Sequence, residues 1–384
     1  MALKVAKRGS VPPFIVMDVM RAAEEREAAG GEVLHMEVGQ PGTPAAPAVL
    51  EAVRRALETD RVGYTLALGI TPLRERIARH YRETYGVEVD PARIVTTTGS
   101  SGGFLLSFLA AFDAGDRVAL AAPGYPAYRN ILTALGVEAV LIPTEAEHRF
   151  QPTPELLDGV EGRLDGLIVA SPSNPAGTML GREELRALVD YCADRGLRLI
   201  SDEIYHGITY ERPADTALQF TRDSIVINSF SKYFSMTGWR LGWMVVPEDL
   251  LRPVECLAQN LFISPPTLSQ IGGLAAFEAR EVLEGYVASY ARNRAHLLEA
   301  LPRAGFDRLA PADGAFYLYA DVGHLTNDSE AFCRRMLAET GVATTPGLDF
   351  DPERGHRFLR FSFAGQETVM REATERLEAW LQKA

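Results

Sequence analysis

Cysteine is scarce in this chain of 384 residues. Cys192, Cys256 and Cys333 are odd in number and far apart. None has the spacing of a metal-ligand or redox pair, so buried or incidental thiols in a reducing compartment are expected rather than a disulfide framework. Seven histidines occur with no H-x-x-x-H spacing, and no metal site is expected. No run is long and apolar enough to span a bilayer. A basic surplus is also missing. The formal net charge of −12 argues against a nucleic-acid partner, which selects a basic face, and suits a cytoplasmic enzyme kept apart by mutual repulsion. There is no low-complexity linker and no internal repeat. Near the N-terminus, Lys4, Lys7 and Arg8 precede an apolar stretch in the manner of a signal peptide. Pro12, Pro13 and Asp18 interrupt that stretch, so an extended arm followed by an amphipathic helix is the better reading.

What is present is an alternation of strand and helix patterns. A content of 47% hydrophobic and 23% charged residues is ordinary for a globular chain, and the length allows two domains. Residues 45–290 read as a large α/β domain, its mostly parallel sheet of the seven-stranded type covered by helices on both faces. Strands are predicted over Arg93–Thr98, Asp116–Ala122, Gly166–Ser171, Leu197–Ser201 and Ile225–Asn228, with a further one in Trp239–Val246. A helix is predicted over Phe104–Phe112. Residues 291–384 read as a smaller α+β domain, completed by residues 1–44. It has a long helix over Tyr286–Ala304, strands near Ala315–Ala320 and Phe358–Phe363, and a closing helix over Thr368–Gln382.

Residues of special character sit just past the C-terminal end of five of these strands, where open α/β sheets place ligands. Lys232 follows the apolar run Ile225-Val226-Ile227. Desolvation there lowers a lysine's pKa, and a lysine that is partly neutral is a nucleophile able to form a Schiff base, the reaction pyridoxal phosphate requires. The plainer alternative is a surface lysine opening a turn. Gly99-Ser100-Ser101-Gly102-Gly103 leads from a strand into a helix and offers a phosphate seat, or a simple turn. It lacks the dinucleotide fingerprint G-x-G-x-x-G, which disfavours a nicotinamide enzyme. Asp202, at a buried strand end, needs a cationic or strong donor partner such as a pyridinium, or else caps a helix. Asn174 and Tyr205 are positioned to hydrogen-bond a phenolic oxygen, and Tyr125 to stack on a ring or to serve a turn. Alternation places Arg360 and Ser362 opposite Phe361 and Phe363, so Arg360 suits bidentate capture of a carboxylate. Arg357 is the competitor.

Together these motifs resemble the class I/II aminotransferases of the fold type I pyridoxal-phosphate family, from about Val33 to the C-terminus. The ordered set is Val38-Gly39-Gln40-Pro41, Tyr64-Thr65 with Gly69, Thr98 to Gly102, Pro123-Gly124-Tyr125-Pro126, Ser173-Asn174-Pro175 with Gly177-Thr178, Ser201-Asp202-Glu203 with Tyr205, Ser229-x-x-Lys232, Gly238 to Gly242, and Arg360-Phe361-Ser362. The resemblance implies an aminotransferase moving an amino group from an L-amino acid to a 2-oxo acid, with Lys232 carrying the cofactor as an aldimine and shuttling the proton. It implies that Asp202 binds the pyridine nitrogen, Tyr205 and Asn174 the phenolic oxygen, and Tyr125 the ring face. Ser100, Ser101, Gly102, Ser229 and Arg240 would hold the phosphate. Arg360, backed by Gly39 and Asn174, would hold the substrate carboxylate. Tyr64 would reach the neighbouring subunit's phosphate, which implies a homodimer with shared active sites.

A lyase or synthase on the same scaffold, of the cysteine-sulfur β-lyase type, shares nearly all these cofactor residues. A transcription regulator would need a DNA-binding module ahead of the first motif, where only about 30 residues stand. Some relatives acting on aspartate carry a lysine just past the phosphate-binding turn. Glycines stand there in this chain, which weakens the case for a dicarboxylate substrate.

Overall fold

The computed structural model describes residues 3–383. The strands in chain order are β1 (Leu34–His35), β2 (Ile94–Thr97), β3 (Arg117–Ala122), β4 (Glu138–Pro143), β5 (Gly166–Ala170), β6 (Arg198–Asp202), β7 (Ile225–Ser229), β8 (Gly242–Val245), β9 (Tyr317–Asp321), β10 (Val342–Ala343), β11 (Thr345–Pro346) and β12 (Phe358–Ser362). A seven-stranded sheet runs in the order β2-β8-β7-β6-β5-β3-β4. Its central strands, Gly-Leu-Ile-Val-Ala in β5 and Ile-Val-Ile-Asn-Ser in β7, are buried along almost their whole length. That is what a parallel sheet covered on both faces requires.

The sheet departs from expectation in two places. β8 runs antiparallel to both β2 and β7, and it occupies only the second half of the predicted Trp239–Val246 strand, after a short turn of helix over Thr237–Trp239. β4 forms the edge beside β3 and had no counterpart among the strands read from the sequence.

Five helices matter for the site: α1 (Ile15–Ala28), α2 (Pro47–Thr59), α3 (Thr71–Tyr85), α4 (Gly99–Ala111) and α5 (Pro126–Leu135). α4 begins at Gly99, five residues before the predicted start at Phe104. Glycine is a poor helix former. Here close packing outweighs propensity, because a Cβ on Gly102 would lie 2.5 Å from Thr98 Oγ1 and one on Gly103 would lie 3.4 Å from Ile227. The predicted long helix also starts earlier and covers Arg280–Arg303.

A second, three-stranded antiparallel sheet has the order β11-β12-β9, with Arg360 opposite Tyr319 and Phe361 opposite Leu318. Leu359, Phe361 and Phe363 enter a core shared with Leu34, Met36, Phe306 and Trp380. The N-terminal segment joins this part of the chain, since β1 pairs in parallel with β10 and α1 packs against β11.

Candidate active site

The C-terminal ends of β2, β3, β5, β6 and β7 lie at one edge of the large sheet, and a cavity of about 200 Å³ opens above them. Of the residues singled out in the sequence, Gly39, Ser100, Ser101, Tyr125, Asn174, Asp202, Tyr205, Lys232, Arg240 and Arg360 line it. Gly102 is buried inside α4, Ser229 is fully buried below the cavity, and Tyr64 is 83% exposed on the outer surface.

Asp202 ends β6 and is buried. One carboxylate oxygen accepts from the Ile204 backbone N–H at 3.0 Å, and the other accepts the Tyr128 hydroxyl. Burial pushes the carboxyl up to about 6, against the pull of these two bonds and of Lys232. Among the described residues it has no ion-pair partner at contact distance. Beside it, Glu203 accepts from Thr216, Ala217 and Ser201, and burial raises it to about 8. His206 donates from Nε2 to the Ser171 carbonyl, so its Nδ1 accepts from the Tyr85 hydroxyl, and burial keeps the ring neutral by lowering it to about 3.

Lys232 stands three residues past β7, and its Nζ donates to the Gly39 carbonyl. Burial lowers its ammonium to about 8, reinforced by Arg360 and Arg240 and opposed by Asp202. Gly39 is required where it is, because a Cβ there would overlap the Tyr317 hydroxyl. Tyr317 in turn bonds the Tyr205 hydroxyl at 2.7 Å.

Arg360 is buried with its guanidinium between two rings, 4.4 Å from the Tyr317 centroid and 4.8 Å from that of Phe350. Nη1 donates to Asn174 Oδ1 at 2.8 Å, which fixes the orientation of that amide. Nη2 donates to the Glu37 carbonyl and to Thr345 Oγ1. Nε is buried without a partner. Arg357 lies outside the cavity, paired at the surface with Asp321.

These residues fit a phosphorylated pyridine aldehyde. Arg240 sits in the left-handed region at φ 50° and lies over the first turn of α4. A Cβ on Gly99 would come within 2.6 Å of its Nη2, so only glycine leaves that seat between the helix N-terminus and the guanidinium open. The buried Asp202 carboxylate fits a pyridinium, and the lowered Lys232 fits an aldehyde.

Sequence reasoning missed Tyr128, Tyr317, Ser231 and Thr237, all of which line the cavity. It also missed the roof. Phe14, Val16, Met17 and Met20, at the start of α1, close the cavity from above. The available signals were the second tyrosine in Tyr125-Pro-Ala-Tyr128 and the apolar spacing from Val16 to Met20.

The family profile described as aminotransferase class I and II matches residues 31–377. A valine–pyruvate aminotransferase of Mycobacterium tuberculosis is 53% identical, with 98% of each chain covered. An aspartate/prephenate aminotransferase of Thermus thermophilus is 32% identical, again with 98% of each covered. The crystal structure of an aminotransferase from Mycobacterium tuberculosis superposes with a TM-score of 0.98 at 52% identity, covering 100% of both chains.

Proposed function

Because this chain belongs to the class I and II aminotransferases, we propose that its donor is a small branched apolar L-amino acid of the valine type and its acceptor pyruvate. The chain transfers an amino group from an amino acid to a 2-oxo acid and uses pyridoxal 5′-phosphate, as its family does; the lyase alternative is set aside. The observation that carries the donor reading is the roof. Phe14, Val16, Met17 and Met20 line the same cavity as Lys232, and among the described residues its only lining cations are Lys232, Arg240 and Arg360. With Arg240 at the phosphate seat and Arg360 on the α-carboxylate, no guanidinium is left among the described lining residues for a second carboxylate. The Mycobacterium tuberculosis relative is named for valine and pyruvate.

In this reading Ser100, Ser101 and Arg240 hold the phosphate at the start of α4. Ser231 and Thr237 stand beside them, Gly102 lets the helix pack, and Ser229 braces the turn through its bond to Ser231. Tyr125 stacks on the ring, while the Asn174 amide N–H and the Tyr205 hydroxyl serve the phenolic oxygen. Asp202 holds the ring nitrogen protonated, with Tyr128 fixing the carboxylate. When bound, the cofactor supplies an electron sink for the bond broken at the donor's α-carbon. Arg360 grips the α-carboxylate through its free Nε–H, and Gly39 leaves room for it. Lys232 takes the α-proton onto Nζ and returns it, which its lowered pKa suits.

The same reading makes the protein a homodimer with shared active sites. Tyr64, Leu66, Leu57 and Ile263 are 83%, 67%, 61% and 52% exposed, and Tyr64 is free to reach a neighbour's phosphate. Residues 45–290 then form the cofactor unit, with 1–44 and 291–384 forming the unit over it. A half-reaction screen with valine, alanine and aspartate, followed by cofactor absorbance, tests the donor. Valine should exceed alanine in kcat/KM by about tenfold or more, the worth of added methyl groups in an apolar pocket. A preference for aspartate would overturn the reading.

A further inference from the structure

The roof helix α1 begins at Ile15, and Phe14 before it provides no side-chain cap. Its first N–H groups therefore need acceptors from elsewhere. They find them in Asp349, more than 300 residues away in sequence. Oδ1 accepts from the Ile15 N–H at 3.0 Å and Oδ2 from the Val16 N–H at 3.3 Å. Asp349 is 1% exposed and has no ion-pair partner at contact distance among the described residues. The nearby Arg129 guanidinium donates to its backbone carbonyl at 2.7 Å. An unpaired buried carboxylate is costly, and an uncharged asparagine would have only one oxygen to accept from these two N–H groups. Both oxygens are spent on the first turn of one helix, where the helix dipole favours negative charge.

The turn that carries Asp349 also touches the other walls of the cavity. It directly follows β11, whose Thr345 hydroxyl accepts from Arg360 at 3.1 Å. The next residue, Phe350, lies 4.8 Å beneath the Arg360 guanidinium. Arg129 belongs to α5, which starts directly after Tyr125. Phe14 meets the Tyr125 ring edge-on at 5.8 Å. One turn thus joins the roof, the Arg360 strand and the helix that bears the stacking tyrosine.

We propose that Asp349 is a positioning residue for donor specificity: its carboxylate fixes the entry of α1 so that Val16, Met17 and Met20 form a shaped wall over the donor's side chain. This rests on the reading of the roof as the side-chain pocket. Asp349 does not line the cavity; it acts through α1. A donor with a branched side chain uses the wall, and alanine scarcely does. Weakening the cap therefore costs the branched donor selectively, and through KM more than kcat.

The test compares wild type with Asp349→Asn, which keeps one acceptor oxygen, and Asp349→Ala, which keeps none. In the cofactor-loaded enzyme, Asp349→Asn should lower kcat/KM for valine roughly tenfold more than for alanine, with the loss in KM. Hydrogen exchange at the Ile15–Met20 amides should quicken roughly 5- to 30-fold, the size of a lost helix cap, with the strands of the large sheet unchanged. Asp349→Ala should move both readouts further, and Asp349→Asn carries the test alone if the alanine variant does not fold. Equal losses for valine and alanine, or unchanged exchange in α1, would overturn the proposal. If wild type shows no preference for valine, the donor reading falls, and the exchange rates alone decide whether Asp349 holds the roof.

Discussion

Asp202, Asn174, Tyr125 and Lys232 stand at the ends of strands whose backbones are bonded in register, Ala170 beside Asp202 and Asp202 beside Ile227. Phe14, Val16 and Met20 are held over them by contacts drawn from the far end of the chain, mainly the Asp349 cap and the β1–β10 pair. The floor is a product of the sheet ladder, and moving one floor residue means moving a strand. The roof is held by the Asp349 cap, the packing of α1 on β11 and a two-residue strand pair. The difference separates two jobs. On the proposed reading, the cofactor's chemistry would rest on the rigid element and the choice of substrate side chain on the part that single substitutions can alter.

The largest effect should come from the floor. Lys232→Ala removes the only amine among the described residues lining the cavity and should reduce turnover by roughly 10²–10⁴-fold or more, the range for a lost general base. Thermal unfolding should stay cooperative; full turnover by this variant would remove the central assignment. Arg360 joins floor and roof, so it comes next. Arg360→Lys loses the rigid fork and should cost about 2–5 kcal/mol in kcat/KM for amino and oxo acids alike, with cofactor affinity nearly unchanged. Arg357→Lys, at the surface pair with Asp321, should stay within about 0.5 kcal/mol. If the two results are exchanged, the wrong arginine holds the carboxylate.

Tyr128→Phe leaves the sheet intact and removes a single bond to Asp202. Steady-state and single-turnover rates should fall together by about 1.5–3 kcal/mol, the worth of a hydrogen bond to a charged group. An unchanged single-turnover rate would make Tyr128 mere packing. The smallest effect belongs to the roof's rear support. His35 bonds Glu37 and also Glu27 of α1, and those carboxylates raise it from 6.5 to about 9, the Glu37 bond chief among them. Its folded pKa lies above its unfolded one. The contribution is therefore complete below about 6.5 and is lost as pH climbs through about 9. The imidazole is 41% exposed, although Glu37 is buried, so the slope should be shallow, and His35→Gln should flatten it in a melting series from pH 6 to 10. An identical slope in both proteins would remove His35 from the account.

The floor was legible because a residue out of place in a core stands at or just past the end of five strands. Asp202 after Leu-Ile-Ser and Lys232 after Ile-Val-Ile-Asn are visible without a structure. β4 escaped because it is a half-exposed edge strand with nothing distinctive at its end. The reversed direction of β8 escaped because pattern carries no sign of direction. Tyr128 was hidden by its proximity to Tyr125, and its role appears only when α5 is seen to turn it under Asp202. The roof was hidden for a different reason. The apolar face of α1 is readable, but nothing local shows that it covers a cavity, because its cap lies more than 300 residues away.

The pairing of β1 with β10 also sets an order in time. Leu34 leaves the ribosome about 300 residues before Val342, its partner in the sheet. At roughly 5–20 residues per second, that is a wait of about 15–60 s. The floor's strands are all synthesised in that interval. Val16, Met17 and Met20 meanwhile have no site to cover, and Ile15 has no Asp349 to cap it. The nascent chain can complete the strands of the floor well before the roof has anything to fasten it, so on the proposed reading the side-chain wall is the last part of the site to form.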